Sequence, residues 1–100
     1  MNWSTYDNKQ LIKAFKATND PVVLQSLLDD LLTDSEIAIC VTRLKAAHLI
    51  YAGAPYSEIR KITSLSPSTI ARISKQLQNP QSGFKTIIRK MNPHGQRYFD

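Results

Sequence analysis

The stretch Ala54–Leu77, APYSEIRKITSLSPSTIARISKQL, decides how this chain is read. After Pro55, Tyr56, Ile59 and Ile62 recur at threefold spacing over two helical turns. Thr63-Ser64-Leu65 interrupts that pattern. Ser66 is placed to cap a new helix, and Pro67 suits a first turn that needs no backbone N–H. Beyond it Ile70, Ile73 and Leu77 make one face, with Ser68, Thr69, Arg72, Lys75 and Gln76 opposite. Two short amphipathic helices across a tight joint predict a helix-turn-helix over 55–77. Ile59, Leu65, Ile70 and Ile73 are expected to pack its elbow.

The chemistry of the window suits DNA. A helix of this motif enters the major groove by its N-terminal end. Short hydroxyls let that end come close, and its free amides favour phosphate. Arg72 can hold guanine with two hydrogen bonds and Gln76 can pair with adenine. Ser57 and Arg60 on the first helix would meet phosphates. The candidate DNA-binding residues are therefore Ser57, Arg60, Ser66, Ser68, Thr69, Arg72, Lys75 and Gln76. Two residues depart from the common motif. Ser64 stands where glycine often permits positive φ, and Arg60 where a small residue often lies at the helix crossing. An amphipathic helix pair with ordinary caps is the competing reading.

Charge separates the halves. Residues 1–54 carry five cations and six carboxylates, net −1. Residues 55–91 carry seven cations against Glu58 alone, net +6. Arg97 and Asp100 cancel, so the whole excess of +5 surrounds the opening stretch. That asymmetry points to a polyanionic partner, with a solvated basic face as the alternative.

The remaining sequence reads as helix. Leu11, Ile12, Ala14 and Phe15 share a face within 4–17. Asn19 or Asp20 can cap PVVLQSLLDDLL, with Pro21 at its first position. Thr33-Asp34-Ser35-Glu36 has the form of a capping box before a long helix over 34–52. Ile37, Cys40, Val41, Leu44, Ala47 and Tyr51 make one stripe there, and Ile39, Ala46, Leu49 and Ile50 cover another side. A helix apolar on two sides is central to a core, and a second copy of the chain is expected to supply part of the cover. A packed monomer is the alternative. His48 falls on the polar remainder and is expected at a surface or interface. Gly53 is placed to end this helix in a left-handed cap.

Composition bounds the rest. One hundred residues, 42% of them apolar, make one all-helical domain over 1–91 with a flexible tail over 92–100. No continuous apolar run is long enough to span a membrane, and MNWSTYDNKQ does not resemble a secretory signal. One cysteine, Cys40, is expected as a buried small hydrophobe, and a reducing cytoplasm is the expected location. Two histidines and one cysteine offer no metal-site spacing. No nucleophile, base and acid combine, so an enzyme is not expected. Trp3 could anchor the first helix or meet a partner subunit.

The run LLTDSEIAICVTRLKAAHLIYAGAPYSEIRKITSLSPSTIARISKQL resembles the tryptophan-repressor superfamily, and looks closest to its YerC/YecD-like branch. The resemblance rests on the LT-x-x-E start, Thr42-Arg43 in mid-helix, Gly53 ten residues on, and Ser-Thr-Ile-Ala-Arg in the reading helix. NPQSGFKTIIRKM resembles the family's closing loop and helix. It implies an all-α, intertwined homodimer with paired reading helices, and Gly83 to Met91 packed on the partner. It also implies an effector pocket at Arg43, Thr69 and Arg72, where the tryptophan sensor binds L-tryptophan. Ile73 stands where that sensor has glycine and would fill ring space, so L-tryptophan is not expected as effector. Whether another effector exists stays open.

The expected function is a sequence-specific DNA-binding regulator, a repressor that occupies a palindromic site as a homodimer. A protein-interaction module that keeps the fold without reading DNA is the alternative.

Overall fold

A computed structural model describes residues 1–92. They form six helices: α1 (Tyr6–Lys16), α2 (Pro21–Leu31), α3 (Asp34–Tyr51), α4 (Tyr56–Thr63), α5 (Pro67–Gln78) and α6 (Gly83–Met91). The described residues contain no strand, so the all-α expectation holds. The expected tail lies, from Pro93 on, outside the described residues.

Local chemistry sets the helix starts. Thr5 Oγ1 accepts the Asn8 N–H, and Asp20 accepts the Val22 N–H at 2.9 Å ahead of Pro21. The capping box forms in both directions. Glu36 N–H donates to Thr33 Oγ1 at 3.2 Å, and Thr33 N–H donates to Glu36 Oε1 at 2.9 Å. The Thr33 backbone N–H, with the Thr33 hydroxyl second, holds the Glu36 carboxyl below its ordinary 4.5. Gly53 ends α3 at φ +86. There Ala54 N–H donates to Leu49 O and Gly53 N–H to Ile50 O, the paired bonds of a left-handed cap.

Contacts divide the chain into two compact units, Met1–Ile37 and a second that begins at Ala38. The first unit holds α1 and α2 and buries no residue. Leu11, Ile12, Phe15, Val22, Val23 and Leu31 are all exposed. Such short helices are marginal without tertiary packing.

The second unit has a true core. Ala46, Ala47 and Leu49 of α3 join Ile59 of α4, Ile70, Ile73 and Leu77 of α5, and Ile88 of α6. Ile50, Ile62, Leu65 and Phe84 pack against it. Burying each isoleucine contributes about 1.5–3 kcal/mol.

Two expectations on α3 are corrected. Cys40 is exposed, together with Ile39 and Val41. The residues of α3 that reach the core are Ala46, Ala47 and Leu49, all in its second half. His48 is buried at 4% exposure. The chain returns beside the end of α3, where Asn92 Nδ2 donates to His48 Nδ1 at 3.3 Å and Arg89 Nε donates to the Tyr51 hydroxyl at 3.3 Å. Burial lowers the His48 pKa from 6.5. Trp3 is half-exposed.

The α4–α5 turn settles the Ser64 departure. Ser64 adopts φ 58, ψ 15, a left-handed conformation. Ser64 N–H donates to Arg60 O, and Thr63 Oγ1 both donates to Ile59 O and accepts the Leu65 N–H. A left-handed non-glycine residue costs roughly 1–2 kcal/mol. Glycine there would forfeit about 0.5–1 kcal/mol in unfolded-chain entropy. The net gain is about 0–1.5 kcal/mol, so Ser64→Gly is expected to raise Tm by up to roughly 7 °C. Calorimetry checks this, and a lower Tm would show that the strain is less than the entropy glycine loses.

His48 gives a pH prediction. Its folded pKa is depressed, so its share of stability is intact above the unfolded value of 6.5. That share is lost as pH falls from 6.5 through the folded pKa. The wild-type chain should lose more Tm than His48→Leu when acidified across this window. Equal losses would refute the assignment.

Candidate nucleic-acid interface

α5 begins in a small hydroxyl network. Ser66 caps the helix by accepting the Thr69 N–H at 3.2 Å. Its hydroxyl donates to Thr69 Oγ1 at 2.9 Å. That uses its single proton, so Ser68 donates in the 3.1 Å contact between Ser68 and Ser66. Pro67 has no N–H and Thr69 is capped, which leaves the Ser68 amide as the first-turn donor for phosphate.

The core orients the rest of the helix. With Ile70, Ile73 and Leu77 buried, Ser68, Ala71, Arg72 and Lys75 form an exposed row on the opposite side. Their spacing of three and four residues stacks them on one face. Arg72 and Lys75 make no ion pair or hydrogen bond among the described residues, and the same holds for Arg60 and Lys61. Free cations on one face are suited to phosphates and base edges.

α4 adds a basic hollow at the elbow. Ser57, Arg60, Lys61, Ser64 and Leu65 line an open space of about 390 Å³. Ser57 and Arg60 were expected here from the sequence. Lys61 was counted in the local charge but given no role, because its face depends on how α4 packs.

A third feature lies on the flank of α5. Arg43, Thr69, Arg72, Ile73, Gln76 and Phe84 line a cleft of about 120 Å³. The expected effector trio of Arg43, Thr69 and Arg72 is therefore brought together, across α3 and α5. Thr69 is half-buried, while Gln76 is exposed at the cleft rim and also borders a wider hollow. That hollow, about 550 Å³, is lined by Leu44, Asn79, Ser82, Gly83, Phe84 and Ile87 as well. Phe84 of α6 is the wall the sequence reading did not identify. Its spacing from α5 carries no local signal, since the 79–82 loop decides where α6 folds back.

Residues 7–92 match the family model described as Trp repressor protein. The chain belongs to the Trp repressor family. The match spans all six helices. It places the chain among helix-turn-helix regulators that bind DNA, a family of regulators and not of enzymes. The match is to the family as a whole and not to a branch of it. No curated protein and no solved structure matches the chain. Among the described residues no side-chain cluster could hold a metal, and no helix is long and apolar enough to cross a membrane.

For a Trp repressor family member, the elbow hollow carries a direct test. Arg60→Ala and Lys61→Ala should each weaken binding to all duplexes alike. Each should lower the slope of log K against log salt by about one. An unchanged slope would remove that residue from the phosphate contacts.

Proposed function

We propose that this chain is a transcriptional repressor that reads the major groove with α5, as a homodimer on a palindromic operator. The exposed row Ser68, Ala71, Arg72 and Lys75, backed by buried isoleucines, carries the reading. Ser66 would hold the helix start in shape and the Ser68 amide would anchor it on phosphate, while Ser57, Arg60 and Lys61 would hold the flanking backbone. Arg72 would take guanine. Two-fold symmetry would set two such helices about 34 Å apart, one turn of duplex. Occupying a promoter in this way blocks polymerase.

The dimer is supported by unfinished surfaces in one protomer. The first unit buries nothing, and Ile39 and Val41 of α3 are exposed beside Cys40. The 550 Å³ hollow with Leu44, Phe84 and Ile87 in its walls offers further apolar cover. A second copy can close such surfaces symmetrically.

The effector cleft is proposed not to take L-tryptophan. Ile73 forms part of its wall and is 2% exposed, locked in the core. An indole placed against that wall would meet the Ile73 side chain, which cannot move aside without repacking the core. DNA binding is therefore proposed to be independent of L-tryptophan.

The competing reading is an interaction module that uses the exposed apolar faces and leaves DNA alone. Selection of random duplexes on the purified chain separates the two. A palindrome with half-site centres about one turn apart is expected, unchanged by added L-tryptophan. Arg72→Ala should cost about 1–3 kcal/mol and relax one base pair in each half-site. Recovery of no preferred duplex would favour the interaction module.

A further inference from the structure

We infer that Ala71 reads the 5-methyl group of a thymine in each half-site, close to the base pair read by Arg72. This rests on the DNA-reading function proposed above.

Ala71 is exposed within the outward row of α5, between Ser68 and Lys75. The other three members are polar. A helix that enters the groove by its first turns brings Ser68, Ala71 and Arg72 closest to the bases. Lys75 lies further along, where the helix leaves toward the backbone. Thr69 and Gln76 border the flanking cleft with Arg43 and Phe84 and lie outside this row, whereas Arg72 belongs to both. The central readers therefore narrow to Ser68, Ala71 and Arg72.

A methyl side chain neither donates nor accepts a hydrogen bond. Pressed against a base amine or carbonyl, it would strip water without replacing it, which is unfavourable. The floor of the major groove presents one apolar group, the thymine C5-methyl. The shortness of Ala71 also matters, because it lets the helix come close while the Arg72 guanidinium reaches past it. Consecutive Cα atoms are about 3.8 Å apart and their side chains diverge by about 100° around the helix, while base pairs are about 3.4 Å apart. Contacts from Ala71 and Arg72 thus fall within about two base pairs of each other.

The test replaces single thymines by uracil in the selected duplex, which removes the methyl group and keeps the pairing. With the wild-type chain, one uracil per half-site should weaken binding about three- to fivefold, the worth of one buried methyl. Its position should be within about two steps of the pair relaxed by Arg72→Ala. In Ala71→Gly the same uracil should have no effect. Ala71→Ser, which keeps a side chain on the helix, should show the same indifference. A palindrome whose binding ignores every uracil overturns the inference while the repressor reading stands. So does a uracil penalty that persists in both variants. Selection that yields no preferred duplex fails the DNA-reading function first, and this inference with it.

Discussion

The burial of Ile59, Ile70 and Ile73 is the constraint on which the proposed reading surface depends. All three are at most 2% exposed, and they come from both arms of the helix-turn-helix. Because α5 cannot turn without exposing Ile70 and Ile73, its opposite row has one orientation available. Truncating a buried isoleucine to alanine costs about 2–5 kcal/mol, so the orientation is firmly held. Functional side chains need no mutual contacts of their own to stay aligned. The hydrophobic core aligns them from behind.

The turn between the helices meets the same demand in a different way. Three residues must reverse the chain tightly enough for α4 and α5 to share that core. Ser64 takes the left-handed position usually given to glycine, and Thr63 satisfies neighbouring backbone groups on both sides. Ser64 also borders the basic hollow with Arg60 and Lys61. A residue under backbone strain beside a binding surface is a common arrangement, because the surface requires a shape that local preference does not favour. Arg60, the other departure from the common motif, is exposed and faces the same hollow.

In the flanking cleft one buried side chain serves two purposes. Arg43, Thr69 and Arg72 converge there, yet Ile73 belongs both to the cleft wall and to the core. A side chain that closes the cleft and packs the elbow cannot do one without the other. Arg72 meanwhile belongs both to the cleft and to the outward row. Any ligand placed in this cleft would touch a residue proposed to read DNA.

Much of the architecture was legible in the sequence because it is encoded locally. The Thr33–Glu36 box, the Asp20 and Ser66 caps, the Gly53 terminus and the isoleucine faces of α4 and α5 all act within a few residues of chain. The all-helical fold and the helix-turn-helix follow from such signals. The errors concern contacts between distant segments. Helical spacing marks Cys40 as apolar but does not say that Ile39, Cys40 and Val41 of α3 stay exposed. His48 reads as polar, and its burial depends on Asn92, forty-four positions later. Lys61 and Phe84 gained places beside the site by the same route. Periodicity tells which side of a helix is oily. Which neighbour covers that side, and how far along, is decided only when the helices pack.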